Sequence, residues 1–149
     1  MRRIVGLAPV VLLALFIACR DNTAPDQLHS LRLNRLLWEN QNLHDYRYAG
    51  ALACGECPLN HGPVIVTVLS DTVSSVKLTT TGVEVSKQGW QTVDQLFDYA
   101  ERKLADKSWT VTLKYDPVLG YPTEIDLACP AQDCAVGILL KNLEGVVSN

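Results

Sequence analysis

Six short strand-like segments, some alternating apolar with polar residues and others forming β-branched or apolar runs, constrain the fold of this 149-residue chain more than any other feature. Alternation with a period of two is typical of a β-strand that buries one face. Turn-forming residues separate neighbouring segments, with Ser70-Asp71 after the second and residues 116–120 after the fourth. Such short connections join antiparallel strands. The six segments are residues 46–54, 63–69, 72–79, 109–115, 121–127 and 135–140.

Two other stretches have helical periodicity. Leucines recur from Leu28 to about residue 40 at the spacing of one helix face. The second stretch begins with Thr92-Val93-Asp94-Gln95, in which the threonine and glutamine side chains can cap each other's backbone amides. We therefore predict an α+β fold in the order α-β-β-β-α-β-β-β. Its antiparallel sheet has about six strands, and both helices pack on one face.

The amino terminus has the pattern of an export signal. Arg2 and Arg3 precede an uncharged, largely aliphatic run, residues 4–18, which is short for a membrane span. That run ends in Phe16-Ile17-Ala18-Cys19, which resembles a bacterial lipobox and implies cleavage before Cys19 and diacylglycerol on its sulfur. Arg20, where an aspartate would signal retention, implies the outer membrane, facing the periplasm, if the organism has one. A secretory signal with an incidental cysteine is the alternative.

These signals divide the chain into a signal peptide (1–18), a lipidated cysteine with a short tether (19–27) and one α+β domain (28–149). Loss of Arg2 and Arg3 with the signal peptide lowers the formal net charge from −3 to −5. Phosphate backbones repel an acidic protein, so we expect no nucleic-acid partner. With 48% apolar residues, the chain is too hydrophobic to be mainly disordered.

Four further cysteines occur as two close pairs, Cys54 with Cys57 and Cys129 with Cys134. An even number in an exported domain favours disulfide bonds. Three pairings are possible, and loop entropy favours the one with two short loops, Cys54–Cys57 and Cys129–Cys134. A redox-active Cys-x-x-Cys and a zinc site that uses all four thiols, with His61 as a spare ligand, are alternatives. The residues after Cys57 lack the helical pattern that a redox-active motif needs.

Other chemistry-bearing residues have structural explanations. The chain contains no nucleophile elbow, glycine-rich phosphate loop or His-Glu-x-x-His motif, and we expect no cofactor or metal. Asp94 and Asp98 suit the positive end of a helix, and alternating aromatic residues suit a core. A calcium site would require acidic residues from several segments to meet at one end of the sheet. Those acidic residues are Asp116, Glu124, Asp126 and Asp133, and the aromatic residues are Tyr46, Tyr48, Trp109, Tyr115 and Tyr121.

Three stretches, taken in order, resemble a known family. They are Trp38 followed by Asp45-Tyr46-Arg47-Tyr48, the first cysteine pair with Pro58, and Thr92-Val93-Asp94-Gln95-Leu96-Phe97 before Tyr115-Asp116-Pro117-Val118-Leu119-Gly120-Tyr121-Pro122. Over about residues 31–143 the chain resembles the bacterial domain of unknown function family 6174, which is often found as exported lipoproteins. In its most specific motif, Tyr115, Asp116, Pro117, Gly120, Tyr121 and Pro122 are expected to form a turn between two strands.

The chain departs from this family at two places. Cys54 and Cys57 are one residue further apart than in the family's Cys-x-Cys, and Cys134-Ala135 replaces an acidic cluster near Asp133. The resemblance therefore supplies a fold and a location, but no cation site and no reaction.

Together these patterns predict an uncharacterised, lipid-anchored protein of the cell envelope. We expect a non-enzymatic binding or structural domain, attached to the membrane through Cys19, with an envelope protein or peptide as partner. An envelope thiol-disulfide oxidoreductase that uses Cys54 and Cys57 and a metal-stabilised ligand-binding module are the alternatives.

Overall fold

The computed structural model describes residues 24–54, 62–129 and 135–146. Two helices and six strands follow one another in the predicted order. They are α1 (Ala24–Glu39), β1 (Tyr46–Cys54), β2 (Val64–Leu69), β3 (Thr72–Leu78), α2 (Val93–Ala105), β4 (Thr110–Tyr115), β5 (Pro122–Ala128) and β6 (Val136–Gly145). Within these ranges no helix combines the length and the hydropathy needed to cross a membrane.

The strands form one antiparallel sheet in the order β3-β2-β1-β6-β5-β4. It consists of two meanders, β1-β2-β3 and β4-β5-β6, placed side by side. The meanders meet where β1 pairs with β6, with Leu52 opposite Ile138 and Cys54 opposite Val136. β1 and β6 are therefore the central strands of the sheet, and β3 and β4 are its edges.

Local sequence explains how two of these elements begin. Ser70 and Asp71, between β2 and β3, adopt left-handed backbone with φ of 48° and 58°. This is the conformation of a type I′ hairpin turn, whose twist matches that of the strands. At the start of α2, Gln95 N–H donates to Thr92 Oγ1, and Thr92 N–H donates to Gln95 Oε1. The predicted hairpin and the predicted capping box are both confirmed.

Both helices lie on one face of the sheet, which we name the covered face. Trp38 of α1 packs edge-on against Tyr46 of β1, and Phe97 of α2 stacks on Tyr115 of β4. Because side chains alternate along a strand, each strand turns every second residue toward this layer. The buried strand residues are Tyr46, Tyr48, Val64, Val66, Val68, Val76, Val111, Leu113, Ile125, Leu127, Leu140 and Leu143.

Two elements extend beyond the segments predicted from the sequence. α1 begins at Ala24 rather than Leu28, inside the predicted tether, because Pro25 and Asp26 both suit a first helical turn. β6 continues to Gly145 rather than ending at residue 140. A bulge near Asn142, which has a φ of 53°, places one extra residue of β6 opposite β1. Because of this bulge, Leu140 and Leu143 both face the core although they are three residues apart. Strict alternation does not predict a strand interrupted in this way.

Candidate binding face of the sheet

The family-motif residues form the predicted turn between β4 and β5. Tyr115 ends β4, Pro122 begins β5, and Asp116, Pro117, Gly120 and Tyr121 lie between them. Oδ1 of Asp116 accepts hydrogen bonds from the backbone N–H groups of Val118, at 2.9 Å, and Leu119, at 2.8 Å. The carbonyl of Asp116 accepts from Gly120 N–H at 2.9 Å. Asp116 therefore holds the turn together.

The same turn packs closely on α1. Gly120 has a φ of +81°, which favours glycine, and a Cβ at this position would lie 2.5 Å from the carbonyl oxygen of Asn34. It would also lie 2.9 Å from Cβ of Leu37 and 3.0 Å from the backbone nitrogen of Trp38. Glycine is required here for two reasons, the backbone conformation and the close approach of the helix. The motif thus fixes α1 against the second meander.

Two further motif residues, Tyr46 and Tyr48, join β1 to the start of α2. The Tyr46 hydroxyl accepts a hydrogen bond from Val93 N–H at 2.9 Å, and the Tyr48 hydroxyl donates to the Gln91 carbonyl at 2.6 Å. Burial raises the pKa of both phenols far above the ordinary value, so both stay protonated at physiological pH. Of the other predicted core aromatics, Tyr121 is buried and Trp109 and Tyr115 pack against the core, which confirms that prediction.

The opposite side of the sheet, which we name the open face, is covered by neither helix. One row of adjacent residues crosses it as Ala51, Leu139, Glu124 and Lys114, and a second as Ala53, Gly137, Asp126 and Thr112. Ala49 and Ile65 extend its apolar part toward β2. None of these ten residues is fully buried, whereas most of their neighbours on the covered face are, with Leu52 and Ile138 as partly buried exceptions. In the described part of the chain, an apolar surface of a central strand pair thus remains accessible to solvent.

Two ion pairs lie on the open face. Nζ of Lys114 lies 2.7 Å from Oε2 of Glu124, and Nε of Arg47 lies 2.6 Å from Oε1 of Glu144. The hydrogen bond from Lys114 lowers the pKa of Glu124, while the hydrogen bond with Glu124 raises the pKa of Asp126. The two carboxyl groups therefore hold a proton more readily as a pair than a separate aspartate does. Neutralised charges reduce the cost of covering this face with a partner.

Two pockets lie beside this carboxyl pair. The larger, of about 480 Å³, is at the end of the open face where β1 and β5 finish. The smaller, of about 390 Å³, adjoins Glu124, Leu139 and Lys141. Both are within the size range of small-ligand pockets, with mixed apolar and polar walls. The larger is lined by Ala53, Cys54, Thr110, Thr112, Asp126, Leu127, Ala128, Ala135, Val136 and Gly137.

Cys54 and Cys129 lie at the same end of the sheet as the larger pocket. Val136, at the start of β6, has Cys54 opposite it on one side and Leu127 on the other, and Cys129 directly follows β5. Cys54 therefore ends one neighbour of β6, and Cys129 directly follows the other.

The three possible pairings of the four cysteines remain predictions. Cys57 and Cys134 lie outside the described residues, as do Cys19, His61 and Asp133. Neither Cys54 nor Cys129 is without an interaction partner. Cys54 ends a strand, as predicted, and is not at the start of a helix.

The other candidate residues take part in surface contacts. Nδ1 of His44 lies 2.9 Å from Oδ2 of Asp71, and a guanidinium nitrogen of Arg35 lies 2.9 Å from Oδ1 of Asp98. Asp116 is in the turn before β5, whereas Asp126 is near the far end of that strand. Among residues 24–54, 62–129 and 135–146, no three His, Cys, Asp or Glu side chains are placed to hold one metal ion.

The cluster of Lys114, Glu124 and Asp126 was not predicted from the sequence. A register shift between Lys114 and Tyr115 places Lys114 opposite Glu124, whereas the symmetry of the hairpin alone would place it opposite Thr123. Glu124 and Asp126 are two residues apart on one strand, so they share a face. That this face is open depends on the position of both helices, which the sequence alone predicts only as sharing one side.

The fold and this site define a class of small α+β domain: two helices on a six-stranded antiparallel sheet whose other face is accessible. Residues 30–144 match the model of the family of unknown function DUF6174, and the chain belongs to that family. No curated protein and no solved structure matches the chain.

Proposed function

We propose that this chain is a lipid-anchored protein of the bacterial cell envelope and that its open face binds a protein or peptide. The domain acts by binding and not by catalysis. The observation that carries the proposal is the accessible apolar row of Ala51 and Leu139 on the two central strands. Central strands of an ordinary antiparallel sheet have one solvated face, but that face is usually polar.

Two features of the open face support a peptide or protein as the ligand. The apolar row ends in the Glu124–Lys114 ion pair, so hydrophobic and polar contacts lie side by side, as in a protein interface. The adjoining pockets are of a size to accept individual side chains. We infer that an extended or strand-like segment of the partner crosses β1, β6 and β5.

The amino-terminal pattern supports the anchor. Cys19 follows an apolar run of the length of a signal peptide and is preceded by Ala18, as lipoprotein processing requires. Two or three acyl chains on one cysteine bind a membrane stably, whereas a single chain does not. Arg20, in place of a retention aspartate, directs the mature protein to the outer membrane, facing the periplasm, if the organism has one.

Intact mass of the protein extracted from membranes tests the anchor. We expect cleavage before Cys19 and the added mass of diacylglycerol, with or without a third acyl chain. Cys19→Ala should abolish lipidation and processing, and an inhibitor of the lipoprotein signal peptidase should cause the lipidated precursor to accumulate. Arg20→Asp should move the mature protein to the inner membrane. An unmodified Cys19 in the mature protein would overturn the anchor.

In-cell photo-crosslinking tests the binding face. A photoreactive amino acid placed at Leu139 should give a defined protein adduct, and one placed at Lys107, in the exposed loop before β4, is the control. Equal adducts at both positions, or adducts at neither, would contradict binding at the open face.

A further inference from the structure

α1 carries an exposed apolar patch on the side away from the core, which we name the outer patch. It comprises Leu33, Leu36 and Val118, which are 54%, 57% and 71% exposed. The other large apolar residues exposed in the described ranges are Leu69 and Val83. Scattered exposed leucines are ordinary on a protein surface, but a cluster marks an interaction site.

The geometry of α1 brings these residues together. Leu33 and Leu36 are three residues apart and therefore lie one above the other on a helix face. Leu31 and Trp38, which are buried, project from the opposite side toward the sheet. The turn that carries Val118 packs on α1 at Asn34, Leu37 and Trp38, through Gly120. Val118 is thus exposed on a turn directly beside the helix that carries Leu33 and Leu36.

The position of α1 in the chain indicates what covers the patch. Four residues, 20–23, separate Cys19 from Ala24, where α1 begins. Even fully extended, this segment keeps the start of α1 within about 17 Å of the lipidated cysteine. Leu33 and Leu36 lie only about 14 and 18 Å further along the helix. A lipid-anchored α1 is therefore always close to the bilayer surface.

We propose that the outer patch rests on the lipid bilayer and orients the domain on the membrane. This inference depends on the proposed lipidation of Cys19. An amphipathic helix that lies in the membrane interface buries its apolar face at the boundary between headgroups and acyl chains. Leu33, Leu36 and Val118 enter this boundary while the buried side of α1 remains packed in the core.

This orientation has a consequence for the open face. The helices lie between the outer patch and the sheet, so the open face points away from the bilayer. Membrane contact therefore leaves Ala51, Leu139 and the carboxyl pair accessible to a partner in the periplasm.

Fluorescence quenching in vesicles tests the inference on the full, lipidated chain. An environment-sensitive fluorescent amino acid is placed at Leu36, at Val118, or at Val83 as the control. Val83 is 58% exposed, close to the 57% of Leu36, but lies beside β3, at the edge of the sheet opposite β4. The vesicles contain phosphatidylethanolamine and phosphatidylglycerol, with or without nitroxide-labelled acyl chains.

We expect at least about twofold quenching at Leu36 and Val118 and almost none at Val83, as for side chains inside and outside the membrane interface. Adding Leu33→Ser and Leu36→Ser to the Val118-labelled protein should remove most of that quenching. Circular dichroism verifies that these exposed substitutions leave the fold intact.

Other results overturn the inference in distinguishable ways. Equal quenching at all three positions, with diacylglycerol on Cys19 verified by mass, overturns the orientation but leaves the anchor intact. A fluorescence change at Leu36 that depends on protein concentration and not on labelled lipid assigns the patch to a second copy of the chain. Absence of lipid on Cys19 overturns the anchor itself.

Discussion

The two faces of the sheet use the same strands for different purposes. On the covered face, Val64, Val66 and Val68 are buried completely beneath the helical layer. On the open face, Ala51 and Leu139 pair with each other and remain partly accessible. The difference shows that the apolar residues of the covered face are accounted for by folding, whereas those of the open face are not.

The family motif belongs with the covered face. Tyr46, Tyr48 and Gly120 each connect a strand or turn to a helix or its start, and Asp116 holds its own turn together. The most recognisable residues of this family are therefore those that specify the fold. The motif thus lies apart from the proposed binding face.

The largest expected effect is the loss of the turn that holds α1. Gly120→Ala should lower the free energy of unfolding by about 3 kcal/mol or more, since it combines left-handed strain with a clash against the α1 backbone. Gly82→Ala is the matched control, because Gly82 also has a positive φ, of +70°, but nothing lies within 4 Å of its Cβ position. Gly82→Ala should lower the free energy of unfolding by about 1 to 2 kcal/mol.

Urea unfolding monitored by circular dichroism measures both variants. Equal losses in the two proteins would mean that backbone strain, and not packing on α1, explains the glycine of the motif.

The next largest expected effect on stability distinguishes the roles of two buried tyrosine hydroxyls. Tyr46→Phe removes the acceptor of Val93 N–H and should cost about 1 to 3 kcal/mol, because a buried donor loses its partner. The buried Tyr115 hydroxyl has no hydrogen-bond partner among the described residues, so Tyr115→Phe should be neutral or stabilising. Thermal unfolding of the two variants gives the comparison, and a greater loss in Tyr115→Phe would contradict these roles.

The smallest effect concerns the charges of the open face. The pKa of Asp126 is raised in the folded protein, so the folded state binds more protons than the unfolded state, and stability falls as pH rises through that interval. Asp126→Asn should therefore stabilise the protein at neutral pH, by no more than about 0.5 kcal/mol at this partly exposed site.

The gain should vanish in acid, below the ordinary pKa range of aspartate, where Asp126 is protonated in both states. Melting temperatures of the parent and the variant, measured at intervals of about one pH unit from about pH 3 to pH 8, follow this change. A gain that persists unchanged at low pH would show that the Glu124–Asp126 interaction is not its cause.

Much of the fold could be predicted because its signals are local. β1 occupies the predicted residues 46–54, and the Thr92 capping box places α2 correctly. The start of α1 and the end of β6 were harder to predict. For β6 the reason is the bulge near Asn142, which breaks the alternation. The sheet order was not predicted, because the β1–β6 contact joins distant parts of the chain and no turn specifies it.

The candidate site was predicted less well for the same reason. Its two rows combine residues from β1, β6, β5 and β4, and within them the Lys114–Glu124 and Thr112–Asp126 pairs belong to the predicted β4–β5 hairpin. Alternation assigns Ala51 and Leu139 to one side of their own strands, but it does not show that they are neighbours. Their accessibility follows from the three-dimensional arrangement of the helices.

The central claim is that the covered face folds the domain and the open face binds its partner. The most direct test introduces Ala51→Gln into the protein that carries the photoreactive amino acid at Leu139. The free energy of unfolding and the crosslink yield are then measured on the same variant. The account predicts an unfolding free energy within about 0.5 kcal/mol of the parent and a large loss of the specific adduct. An unchanged adduct, or a loss of stability as large as that of a covered-face substitution, would contradict it.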